Sequence, residues 1–172
     1  MPSTDLRELL KIIKKTDSSV ISEIPSEHAS LAAALETSSF VEGKIQLMAM
    51  DDWLSTTDII ALSQSEEINS THSIPSPSDW IKSRQIFSLS WKGETLFPAY
   101  GLTTKNGVLR PLPDMKEVLL KINHFGDWAI AGWFASPNSF LGGKISPKDL
   151  IESDSARVIA AASDAAIGIQ HG

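Results

Sequence analysis

Cysteine is absent from this 172-residue chain, and tyrosine occurs once. Without thiols there is no disulfide framework, no thiolate metal site and no thiol nucleophile, which fits a reducing compartment. No apolar run approaches the roughly 20 residues of a membrane span. Arg7, Lys11, Lys14 and Lys15 interrupt the hydrophobic positions near the N-terminus, so no secretory leader is read. The expectation is a soluble, unprocessed, cytoplasmic chain. His28, His72, His124 and His171 are widely separated and lack H-x-x-x-H spacing, so no metal site is expected. Gly142-Gly143-Lys144-Ile145-Ser146 is not a phosphate-binding loop, because Asn138 stands where the first glycine belongs and Ile145 takes the Ser/Thr position. There is no G-x-S-x-G elbow either. Neither catalysis nor a cofactor is expected.

The charge that is present is unevenly spread. The net charge is −6, but residues 21–79 carry ten acidic groups against one lysine, whereas residues 80–126 carry seven basic groups against three acidic ones. The first stretch repels nucleic acid phosphates. The second suits an acidic partner or is simply a solvated face.

The periodicity reads as a mainly α protein. Residues 4–15 place Leu6, Leu9, Leu10, Ile12 and Ile13 on a helical stripe, available for self-association or for packing on the rest of the chain. Residues 16–27 read as a linker. An alanine-rich helix begins near His28 or Ala29, and the first domain boundary is expected between Thr37 and Glu42. Ser55 or Thr56 can cap a helix running through Leu62, with a turn at Gln64-Ser65 and a second short helix over 66–69. That pair suggests helix-turn-helix geometry, although Glu66, Glu67, Asn69 and Thr71 suit DNA poorly. The serine- and proline-rich residues 68–80 read as a connector.

Residues 85–91 alternate as a strand, Lys92-Gly93 supplies a hairpin turn, and T-L-F-P-A-Y returns, with Pro98 tolerable only at an edge or a strand end. A hairpin after two helices is the outline of a winged helix-turn-helix, with a basic wing around Lys82, Arg84 and Lys92. Lys105-Asn106-Gly107 is a turn. Residues 114–123 form a helix with Asp114 as cap and Met115, Val118, Leu119 and Ile122 on one face. Asp127 caps the next helix, in which Trp128, Ala131 and Phe134 share a face. A final helix follows Ser155, packed through Val158, Ile159 and Ala162. The division read from these patterns is an N-terminal helical extension over 1–45, a helix-turn-helix-like segment with a β-hairpin over 46–104, and a C-terminal helical domain over 105–172.

The most specific stretch is residues 133–149, W-F-A-S-P-N-S-F-L-G-G-K-I-S-P-K-D. Pro137-Asn138 initiates a turn, Gly142-Gly143 permits left-handed backbone, and Pro147 suits the first turn of a helix from about Ser146. Such a segment sets the angle between two helices. Its pattern, W-x-x-x-P-N-x-x-L-x-G-x-x-x-P-x-D-L, joins Phe97-Pro98-Ala99-Tyr100, Gly107, Val118-Leu119, Trp128, Val158 and Ala161-Ala162. Together these residues, over roughly 85–165, resemble the toxin-binding domain of the Xre/MbcA/ParS antitoxin family.

The resemblance implies a partner, a RES-type toxin that consumes NAD, which the chain silences by binding it. It also implies that the C-terminal domain makes the contact and that the last segment reaches toward the toxin's active-site opening. Trp133, Asn138, Leu141 and Arg157, with the tail residues Ile167, Ile169, Gln170, His171 and Gly172, are the residues expected at the partner. The chain departs from the family in its acidic second helix and longer N-terminal extension. DNA binding through Lys82, Arg84 and Lys92 is the competing expectation.

Overall fold

The computed structural model of the protein describes residues 28–64, 76–105 and 108–168. The stripe over 4–15, the linker over 16–27, the second helix over 66–69 and the tail residues Ile169 to Gly172 lie outside the described residues. The chain divides into two compact units, Met1–Ala49 and Met50–Gly172. In the described part of the first unit, helix α1 (His28–Met50) begins where the alanine-rich pattern does. It runs without a break through residues 37–42, the stretch where the first domain boundary is expected. Thr37, Ser38 and Ser39 are only mildly unfavourable in a helix, and Gly43 costs about 1 kcal/mol relative to alanine, too little to stop it. Lys44 Nζ lies 4.2 Å from the Phe40 ring centre, one turn away.

The second unit starts with strand β1 (Trp53–Ser55) and helix α2 (Thr56–Gln64). Ser55 caps α2 as its sequence predicts: its Oγ accepts the Asp58 N–H at 3.1 Å, and the Asp58 carboxylate accepts the Ser55 N–H at 2.8 Å. These are the reciprocal bonds of a capping box. The hydrogen bond from the Ser55 hydroxyl, and then that from its backbone, hold the Asp58 carboxyl below its ordinary pKa. Helix α3 (Pro77–Lys82) occupies residues read as connector. Pro77 at its first turn is the reason, because a fixed φ and a missing N–H are harmless there.

Beyond α3 come β2 (Leu89–Trp91) and β3 (Glu94–Pro98), joined through Lys92 (φ 50°) and Gly93 (φ 83°). Two consecutive left-handed residues are what a tight hairpin needs. The strand expected from 85 starts only at Leu89, where its pairing with Leu96 of β3 begins. The three strands form an antiparallel sheet in the order β1-β3-β2, with Leu54 opposite Phe97 and Leu89 opposite Leu96. Pro98 stands at the last position of the central strand, where its missing donor does no harm. The chain then turns through a 3-10 segment (Ala99–Gly101), not a continued strand, into a second hairpin, β4 (Leu102–Lys105) with β5 (Val108–Pro111). The division read between 104 and 105 runs through β4.

Helices α4 (Met115–Lys121), α5 (Asp127–Ala135), α6 (Pro147–Leu150) and α7 (Ser155–Gly168) complete the unit. Helix α4 packs on α7, and Met115, Val118, Leu119, Val158, Ala161 and Ala162 are buried. Ile122, just beyond α4, is buried as the sequence predicts, while Ile159 is only half-buried. Asp114 stands at the cap position of α4 as expected, but its side chain makes no cap bond; its carboxylate takes the Ser155 hydroxyl at 2.5 Å instead, joining the starts of α4 and α7. Gly126, not Asp127, holds the cap position of α5, and Asp127 lies in the first turn, where a negative charge favours the helix dipole. Beneath the three-stranded sheet, Ile59, Ile86 and Phe97 form a core with Leu54, Trp80, Leu102 and Leu109 against it. Helix dominates the described residues, and among them no helix is long and apolar enough to cross a membrane.

Candidate functional site

The segment after α5 is built around one residue. The Asn138 N–H donates to the Ile145 carbonyl at 2.9 Å, and the Asn138 carbonyl accepts the N–H groups of Leu141 at 3.1 Å and Gly143 at 2.8 Å. Its side-chain Oδ1 accepts the Phe140 N–H at 2.9 Å. A short amide side chain that mimics a backbone turn is the reason asparagine suits this place. Gly142 (φ 97°) and Gly143 (φ 75°) take the positive φ that the sequence predicts, and a Cβ on either would meet nothing within 4 Å. Conformation, not space, requires glycine here.

Adjacent side chains of the loop face opposite ways. Leu141 is 2% exposed, whereas Phe140 is 51% and Ile145 37% exposed. Lys144 is exposed as well. Past the loop, Ser146 precedes α6, and its hydroxyl donates to the Asp149 carboxylate. The Lys148 ammonium reaches the Asp51 carboxylate at 2.5 Å and the Met50 carbonyl at 3.4 Å, with the two side chains only 15% and 10% exposed. This pair ties α6 to the turn before β1.

Behind the loop lies an aromatic cluster centred on Phe134. Phe87 stacks on it at 5.9 Å, Tyr100 lies tilted at 5.4 Å and Trp133 edge-on at 5.0 Å, while Trp53 meets Phe87 at 6.2 Å. The cluster joins α5 to the strands. Trp133 Nε1 and Tyr100 Oη are enclosed and make no hydrogen bond to a described residue. Burial, and then the nearby Asp51 carboxylate, push the Tyr100 phenol well above its ordinary pKa.

Of the residues expected at a partner, the structure brings Trp133, Asn138 and Leu141 together in the loop and its support. Leu141 is buried, Trp133 is half-buried with its indole N–H enclosed, and Asn138 is occupied in shaping the turn. Arg157 and Ile167 are exposed on α7, Ile167 at 59%. The basic candidates Lys82, Arg84 and Lys92 are all exposed; Lys82 lies 3.6 Å from Asp79, and Arg84 (φ 54°) and Lys92 (φ 50°) sit in left-handed turns.

Sequence reasoning missed Phe140, Ile145 and the Asp51–Lys148 pair. For the two apolar residues, periodicity carries no signal within a turn. For the ion pair, the partners are too far apart in sequence for any local pattern. Comparisons of this chain with protein-family models, with curated proteins and with solved structures found no match.

Proposed function

We infer that the chain is a binding protein of the antitoxin kind, which occludes a RES-type, NAD-consuming toxin and performs no chemistry of its own. The observation that carries this reading is the preformed loop over 137–146. It is closed on Asn138, seated by Leu141 and followed directly by α6 and α7, whose exposed Arg157 and Ile167 lead to the C-terminal tail. A surface held rigid before binding loses little freedom when it meets a partner. In this reading Trp133, Asn138 and Leu141 hold the loop, and the segment from Ile167 to Gly172 reaches toward the toxin's opening. The site of action is the cytoplasm. The test is co-expression with the toxic product of an adjacent reading frame. Growth should be rescued and the two proteins should co-purify; a chain lacking residues 167–172 should still bind but inhibit less.

The second reading is a DNA-binding regulator. It is favoured by the second unit's chain order β1-α2-α3-β2-β3 with sheet order β1-β3-β2, two short helices followed by a β-hairpin. Lys82, Arg84 and Lys92 would then contact phosphates. Mobility-shift titration against the upstream DNA separates the two readings, since a regulator binds at nanomolar concentration and weakens steeply with salt.

A further inference from the structure

We propose that Tyr100 and Asp51 form a buried hydration site, in which one internal water accepts the Tyr100 hydroxyl proton and donates to the Asp51 carboxylate. The site stands whichever functional reading holds, because it rests on the fold alone. Its geometry starts in the ladder between β1 and β3. Trp53 stands opposite Pro98, and the pairing continues one step outward, where the Ala99 N–H donates to the Asp52 carbonyl at 2.9 Å. The next step sets Asp51 across from Tyr100, and opposed residues of an antiparallel pair carry their side chains on one face. The Asp51 charge acts on the phenol, yet the enclosed Tyr100 Oη makes no hydrogen bond to a described residue. Donor and carboxylate therefore face each other across more than one hydrogen-bond length.

The unused hydrogen-bonding capacity selects the occupant. A phenol has one O–H to give, and a carboxylate accepts about four hydrogen bonds. Among the described residues the Lys148 ammonium is the one donor on the Asp51 carboxylate, whose side chain is only 10% exposed. Trp133, packed on the same Phe134 ring as Tyr100, carries a second enclosed donor without an acceptor, Nε1. Enclosed polar groups are expensive to leave unpaired, and water completes them where protein does not. An anion between Tyr100 and Asp51 would be repelled by the carboxylate, and a cation would meet the phenol's proton and the Lys148 ammonium. Water alone accepts from one group while donating to another, and an internal water commonly makes about three such bonds. Helix α6, which bears Lys148, packs on the 3-10 segment that bears Tyr100, so the bridge ties three parts of the chain together.

The test is a high-resolution crystal structure of the full-length chain, read together with the melting of Tyr100→Phe. One ordered water should lie within hydrogen-bond distance of both Tyr100 Oη and an Asp51 carboxylate oxygen. A direct bond from Tyr100 to Asp51, or a phenol with no water on it, overturns the proposal. Tyr100→Phe removes the hydroxyl and keeps the ring, so its melting temperature should fall by roughly 2–4 °C. An unchanged or higher melting temperature overturns the proposal as well, because a hydroxyl with no partner is better absent. Water-to-protein NOE spectra give the same reading in solution and need no variant. The Tyr100 hydroxyl proton should show a cross-peak to a long-lived water, and the lack of one sinks the site.

Discussion

Lys148 Nζ lies 2.5 Å from Asp51 Oδ1, so residues 97 positions apart share one largely enclosed ion pair between α6 and the turn before β1. Removing one partner strands the other charge in a poorly solvated place, which costs more than the pair contributes. Lys148→Met should lower unfolding stability by about 2 kcal/mol or more, and adding Asp51→Leu should recover much of that loss. Urea denaturation with unchanged slope measures both. A single variant within about 0.5 kcal/mol of the parent would place the pair among the weak surface bridges.

Tyr100 gives an alkaline prediction with a definite sign. Its folded pKa is raised above the ordinary phenol value by burial and by Asp51, so the folded state favours the neutral form. That contribution is fully present below about pH 10 and is lost as pH rises through the folded value. Because the chain has one tyrosine, tyrosinate absorbance reports this group alone. It should not appear around pH 10 in the folded protein and should rise only with alkaline unfolding; a reversible titration near pH 10 in the folded chain would contradict the burial.

How much of this was visible in the residues depends on how local the cause is. The Ser55 cap, the Gly93 hairpin turn, the left-handed Gly142 and the buried faces of α4 and α7 each follow from a few neighbouring residues, and they were legible. Strand β1, three residues long, carries no alternation of its own and exists because β3 pairs with it. Hairpin β4-β5 was read only as a turn, for a similar reason. Asp114 takes the cap position its sequence suggests, but its carboxylate goes to Ser155, far along the chain, which no local pattern shows. In the loop, nothing in the order Phe140-Leu141 says which of two adjacent apolar residues turns inward. Burial decides that, through tertiary contacts.

Two glycines should respond to substitution in opposite directions. Gly142→Val forces a β-branched residue to φ 97° and should cost about 2 kcal/mol. Gly132→Ala, inside α5 with nothing within 4 Å of the new methyl, should stabilise by about 1 kcal/mol. Thermal melts of the two variants read both signs, and a neutral Gly142→Val would deny that conformation is what holds glycine there.

Arg84 follows α3 in a left-handed turn, where its N–H bonds the Ile81 carbonyl at 3.0 Å and the next N–H, of Gln85, bonds Trp80 at 2.8 Å. This is the Schellman closure, which glycine fills without strain. Arg84→Gly keeps both backbone bonds and should raise stability by about 1 kcal/mol. If stability falls instead, the arginine side chain makes a contact that outweighs its backbone strain. The same variant should weaken DNA binding if the second functional reading holds.

The sheet order β1-β3-β2 has a consequence for how the protein is made. Emerging N-terminus first, β1 leaves the ribosome well before the central strand that is its neighbour, and Asp51 waits longer still for Lys148. The second unit therefore closes late in synthesis, from pieces that are incomplete alone. Nascent chains stalled before residue 98 should lack the sheet, and a codon-dependent pause in that stretch would prolong exposure of an unpaired strand edge to chaperones and proteases.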